Sequence, residues 1–151
     1  MTLTITNHQR KFPVDRKRLL SLAKRLAVWA RQRTPGIVWR EVAIHLLDDV
    51  GIVPLNETIM RHAGATDVIT QRYDACPGEA DGLVGELFVN VERAITIPRR
   101  KGWSSEQELL LYIAHGLDHL TGADDSTPAT RAQMLRRERA WLNKIVKNSQ
   151  N

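Results

Sequence analysis

The chain has 151 residues, 42% hydrophobic and 26% charged, which suits a single domain over residues 1–151 with room for a proper core. No stretch approaches the roughly 18 apolar residues of a membrane span, so no membrane partner is expected, and the single cysteine, Cys76, leaves no internal disulfide. Lys and Arg number 22 against 17 Asp and Glu, and the excess is concentrated: ten basic residues and one acid, Asp15, lie between Arg10 and Arg40. Such a block fits a polyanionic partner, because each phosphate met by a cation releases counterions; it also fits a solvated helix face that keeps the protein in solution. The first eleven residues hold no apolar core of signal-peptide length, and with one cysteine a reducing cytoplasm is the expected compartment.

Taken in chain order, Leu3 to Ile5 reads as a short strand. Asp15 can cap a helix to about Arg33, with Leu19, Leu22, Ala23, Leu26 and Ala30 on one face and Arg16, Lys17, Lys24, Arg31 and Arg33 on the other. Thr34-Pro35-Gly36 ends it. Trp39 to Leu47 reads as a strand with Val42, Ile44 and Leu46 on one side. Pro54 fits the first turn of a short helix reaching about His62. Thr66 to Tyr73 and Val84 to Val91 are β-rich and read as antiparallel strands joined by a loop through Pro77-Gly78. Ser104 and Gln107 form a capping box for a helix ending near Thr121, and Thr127-Pro128 opens a last helix carrying Met134, Leu135, Trp141, Leu142 and Ile145. Strands and helices are interspersed, but a hairpin breaks the alternation. The expected fold is α+β, a mixed sheet of about four strands packed with about four or five helices.

The chemistry is concentrated at His115-Gly116-Leu117-Asp118-His119-Leu120-Thr121-Gly122-Ala123-Asp124-Asp125. Histidines four apart on a helix project from one face, and Gly122 can stop the helix because glycine accepts the left-handed conformation. The chain can then return and bring an acid to the same point, Asp125 or its neighbour Asp124. Two imidazoles and a carboxylate leave a fourth tetrahedral position for water, as in catalytic zinc sites.

This pattern resembles the YbeY family of bacterial rRNA maturation factors, regarded as metal-dependent endoribonucleases. Leu55-Asn56, Thr66-Asp67-Val68-Ile69-Thr70 and Gly85-Glu86-Leu87 resemble further motifs of that family, as do Met134 and Glu138 in the last helix. The resemblance implies zinc, one ion per chain, held by His115, His119 and Asp125. It implies an active-site metal at the end of the penultimate helix and single-stranded RNA as substrate, with rRNA or the small ribosomal subunit as partner and DNA not expected. The arginine often found five residues after the Leu-Asn leucine is replaced here by Met60, so Arg61 beside it is the candidate catalytic cation. Gln71, Ala123 and Asp118 also depart from the family pattern.

The remaining candidates follow from position. Asp118, inside the metal helix, is either a catalytic acid or an exposed carboxylate. Glu138 either orients a ligating histidine by accepting its free N–H or pairs with an arginine. Thr66 and Asp67 border the cleft by resemblance, and alternation along a strand would send one inward and the other outward. Lys17, Lys24 and Arg31 are candidate contacts for the RNA backbone. His62 is placed near the cleft by resemblance alone, and His8 and His45 read as structural. Two rivals stand beside the nuclease. A metzincin-like zinc peptidase has the same ligand offsets, but Gly116 occupies the place of its general-base glutamate. A non-catalytic RNA-binding assembly factor would use the metal structurally.

Overall fold

Strand β2 (Trp39–Leu47) shows how the sheet forms: Val42, Ile44 and Leu46 are fully buried and alternate with exposed or half-buried Glu41, Ala43 and His45. In the computed structural model, which describes residues 1–149, it joins β1 (Thr2–Asn7), β3 (Val68–Tyr73) and β4 (Leu83–Asn90) in the order β1-β2-β4-β3. β1, β2 and β4 run parallel, and β3 is the antiparallel edge strand. With five α-helices packed on this mixed sheet, the fold is α+β, as expected from the sequence.

Helix α1 (Arg16–Arg31) starts where the Asp15 side chain accepts a hydrogen bond from the Arg18 N–H at 3.1 Å, and it buries Leu19, Leu22, Ala23, Leu26 and Ala30. Helix α4 (Ser105–Leu120) begins at a complete capping box between Ser104 and Gln107. It is the central helix, packed against β3, β4, α1 and α5 (Pro128–Ser149), and from Leu109 to Leu120 only His115 and His119 are not buried. A helix so enclosed can expose two polar rings only where its neighbours part, and that place is the cleft.

Two features depart from the sequence expectations. Pro54 does not open a helix: α2 (Asp49–Leu55) starts at Asp48, whose carboxylate accepts from the Gly51 N–H at 2.9 Å, and a π-helical turn follows over Asn56–Met60. Proline is tolerated late in this short helix because the carbonyl it leaves unpaired belongs to Val50, 81% exposed and open to water. The second strand of the hairpin ends at Asn90, and Val91 instead begins α3 (Val91–Thr96), capped by the Asn90 side chain on the Arg93 N–H at 3.2 Å. The β-branched Val91 disguised that cap.

Helix α4 approaches the sheet too closely for a side chain at two points. A Cβ on Gly116 would stand 2.6 Å from Leu87 Cδ2, and one on Gly85 would stand 2.6 Å from Leu120 Cδ1. The glycine of the helix therefore meets a leucine of β4, and the glycine of β4 meets a leucine of the helix.

Candidate active site

The last turn of α4 and the segment after it build the site. His115 and His119 lie one above the other with ring centroids 4.5 Å apart. Thr121 ends the helix, Gly122 turns left-handed at φ 91°, and the chain doubles back. The turn places the Ala123 carbonyl 3.0 Å from His119 Nδ1 and brings Asp125 to the exposed ends of both rings. Glu138, on α5 and 1% exposed, lies 2.9 Å from His115 Nδ1. Both Nδ1 atoms thus face acceptors, which fixes each ring and points each Nε2 at the same spot.

The three donor atoms converge there. His115 Nε2 is 3.1 Å from His119 Nε2, and Asp125 Oδ2 is 3.4 Å from each. A tetrahedral ion with bonds of ~2.0–2.1 Å needs donors about 3.3 Å apart, so the spacing fits zinc. Among the described residues, these three form the one such group of histidine, cysteine and acidic side chains. Burial disfavours a charged His115, but its hydrogen bond to Glu138 and the charges of Glu138, Asp67 and Asp125 outweigh this and raise its pKa above the ordinary value. Burial likewise raises the Glu138 carboxyl.

The geometry separates Asp125 from its neighbour. The Asp124 carboxylate accepts hydrogen bonds from the Ser126 N–H and hydroxyl, closing the turn, and these hold its pKa below the usual carboxylate value. It stays exposed and serves the loop.

Two cavities flank His115 and Asp125. One, of about 420 Å³, lies along the β3 edge, where Met60, Thr66, Asp67, Thr70 and Arg72 join both histidines. The other, of about 360 Å³, lies toward α3 and α5. Thr66 and Asp67 both border the first cavity, against the expectation that one would turn away. Strand β3 begins only at Val68, so strand alternation does not govern them. They sit in a loop instead, held by the fully buried Asn90: its N–H donates to the Asp67 carbonyl at 2.8 Å and its Nδ2 to the Thr66 carbonyl at 3.1 Å. Asn56 fastens the start of the same loop, donating to the Gly64 carbonyl at 2.9 Å.

Other candidates lie outside the cleft. Asp118 is neither exposed nor in the cleft: it is wholly buried, with Arg137 Nη2 at 2.8 Å, Arg137 Nε at 3.1 Å from both oxygens, and Arg33 Nε at 3.4 Å. A carboxylate shared by two guanidiniums inside the protein is poorly suited to carrying a proton for substrate. Arg61 is exposed, in the left-handed region at φ 56°, and lines neither cavity; His62 is exposed too. Lys17, Lys24 and Arg31 are exposed on α1 and do not border the cavities. His8, His45 and Glu86 form a hydrogen-bonded row, at 2.9 and 3.0 Å, away from the site.

Sequence reasoning missed Arg72. Its Nη1 donates to the Leu120 carbonyl at 2.9 Å, tying the end of the metal helix to the edge strand and placing a cation at the cavity wall. Alternation with Val68 and Thr70 on β3 was the available signal.

An α+β scaffold presenting a His-His-Asp constellation in a cleft defines a protein with a group that could hold a metal ion, of the kind metallohydrolases use. The chain belongs to the endoribonuclease YbeY family, whose family model matches residues 4–146. It is similar to endoribonuclease YbeY of Arthrobacter sp., 30% identical over 142 residues that cover 90% of this chain and 88% of that one. The counterpart from Chlamydia caviae is 30% identical, covering 91% and 87%. The counterpart from Rhodopirellula baltica is 37% identical over 106 residues, where the match spans 69% of this chain and about half, 53%, of that longer protein. The solution structure of TM1509 from Thermotoga maritima shares the fold with a TM-score of 0.61, at 21% identity over 98% of this chain and 91% of that one.

The peptidase reading fails on geometry as well as on sequence. Position 116 holds a glycine packed against β4, where a Cβ would stand 2.6 Å from Leu87 Cδ2, so the general-base glutamate is absent and the close approach of the helix to the sheet disfavours any side chain in its place.

Proposed function

We propose that this protein is a zinc-dependent endoribonuclease acting in the cytoplasm on single-stranded RNA, with rRNA or the small ribosomal subunit as its target. The observation that carries the reading is the convergence of two Nε2 atoms and one carboxylate oxygen at the spacing of a tetrahedral ion, beside a cavity of about 420 Å³. No helix among the described residues is long and apolar enough to cross a membrane.

His115, His119 and Asp125 would hold the ion. When bound, zinc supplies a Lewis acid for phosphate oxygens and lowers the pKa of water at the open position. The protein's own groups do the rest. Glu138 and the Ala123 carbonyl keep both imidazoles in the tautomer that presents Nε2. Arg72, at the cavity wall with its Nε 3.0 Å from the exposed Asp74 carboxylate, would meet a backbone phosphate in exchange for that surface partner, taking the part expected of Arg61. Asp67 borders both cavities, with Oδ1 anchored by the Val68 N–H at 2.7 Å; it is the acid placed to accept a proton from the attacking oxygen, which Asp118 is not. The exposed cations Lys17, Lys24 and Arg31 would attract RNA to the molecule at longer range.

The test is cleavage of a single-stranded RNA by purified protein, before and after chelation and re-addition of zinc, with His119→Ala as control. Cleavage that persists in the metal-free variant would sink the assignment.

A further inference from the structure

Asn90, 0% exposed at the end of β4, has every polar atom of its side chain engaged. Its Oδ1 accepts from the Arg93 N–H at 3.2 Å and caps α3. Its Nδ2 donates to Asp49 Oδ1 at 2.7 Å and to the Thr66 carbonyl at 3.1 Å. Serine or aspartate would cap a helix as well. Neither brings two donors beside the acceptor from one short side chain, and an amide does. The demand for asparagine at this position therefore comes from α2 and the loop before β3, not from the cap.

The consequence falls on the cleft. Along an extended strand successive carbonyls point to opposite sides. The Thr66 and Asp67 carbonyls instead both turn to Asn90, one to Nδ2 and the other to its backbone N–H at 2.8 Å. That bend removes the alternation just ahead of Val68 and sends the Thr66 and Asp67 side chains to the same cavity. Asp67 also borders the cavity toward α3 and α5, with His115 and Asp125.

We propose that Asn90, oriented from behind by Asp49, is a positioning residue for the reaction: it aims the Asp67 carboxylate into the metal cleft without itself touching substrate. Asp67 Oδ1 is tied to the Val68 N–H at 2.7 Å, so the carboxylate follows the loop backbone that Asn90 holds. The metal ligands lie on α4 and the turn after it, so Asn90 acts on the acid and not on the ion. This inference rests on the ribonuclease reading for the chemistry that Asp67 performs.

Two variants of the full chain separate positioning from folding. Asn90→Asp keeps the shape and the α3 cap but sets a carboxylate oxygen against Asp49 and the Thr66 carbonyl. Adding Asp49→Asn returns a donor to the contact between these two positions and returns none to Thr66. The single variant should melt lower, and the double variant should recover most of that loss. Turnover on single-stranded RNA should stay roughly 10- to 100-fold down in both, the order expected for a reacting group displaced by about 1 Å, with KM within about twofold. Zinc content should not change. Turnover that recovers together with stability in the double variant would overturn the positioning role. Amide exchange gives a readout independent of cleavage. The Val68 N–H, held by Asp67 Oδ1, should exchange roughly tenfold faster in both variants, about the effect of one lost hydrogen bond. Unchanged exchange would overturn the clamp, whatever the cleavage assay returns. A wild-type chain that cuts no RNA, with Val68 exchanging faster in both variants, would remove the ribonuclease reading and leave Asn90 as the residue that sets Asp67.

Discussion

Glu138, buried on α5, holds His115 Nδ1 at 2.9 Å, so a residue 23 positions along the chain sets the orientation of a metal-site imidazole. The contact joins the last helix to the cleft and makes metal affinity depend on how α5 packs. Removing the negative charge without changing the shape tests it. Glu138→Gln should lower zinc affinity about 10- to 100-fold, the usual cost of losing such an outer partner. Competition with a chromogenic chelator measures this directly; an unchanged affinity would mean that Glu138 only fills space.

His119→Ala removes one of three converging donors and leaves two. Elemental analysis of the purified variant should find the metal lost, with helix content by circular dichroism preserved, because the ring is half-exposed and carries little packing. A variant that kept a full equivalent of zinc would place the metal elsewhere.

We propose that Asp118, wholly buried against Arg137 and Arg33, serves stability rather than chemistry. Asp118→Asn would leave Arg137 and Arg33 facing a neutral group in a buried setting. Breaking such a pair from one side costs about 3–5 kcal/mol. Denaturant titration should show a loss of that order. Per folded molecule the variant should cleave normally, and a specific loss of turnover with native stability would return Asp118 to the mechanism.

Gly116→Ala probes the approach of α4 to β4. Its methyl would lie 2.6 Å from Leu87 Cδ2, and overpacking of this kind costs about 1–3 kcal/mol. Thermal unfolding should move down accordingly. Gly116→Glu should lose still more stability, since the larger side chain must displace Leu87, and should gain no peptidase activity.

Neutralising Lys17, Lys24 and Arg31 together should slow RNA association and flatten its salt dependence without altering zinc content. These side chains lie outside both cavities, so their effect should be on encounter rather than on the bound geometry. An identical salt response in the triple variant would reduce this face to solvated surface.

Several features could be read from the residues because their causes are local. Periodicity alone located β2 over Trp39–Leu47, and the Ser104–Gln107 box and the Gly122 stop located α4 with its two histidines. The ligand offsets in His115, His119 and Asp125 depend on one helical turn and one glycine turn, so the sequence by itself determined that those groups could meet. It favoured Asp125 over Asp124 by spacing and resemblance alone; the physical reason, that the Ser126 turn consumes the Asp124 carboxylate, is tertiary. It could not tell that Asp118 faces two arginines while Asp67 faces the cleft. Those fates are decided by Arg33 and Arg137 arriving from α1's end and α5, and by Asn90 clamping the loop before β3. A side chain's role at these positions is set by what distant elements bring to it. Burial and long-range pairing, which exist only once α4 is enclosed, turned one expected catalyst into a core ion pair and gathered Arg72, Arg93 and Arg131 around the metal site.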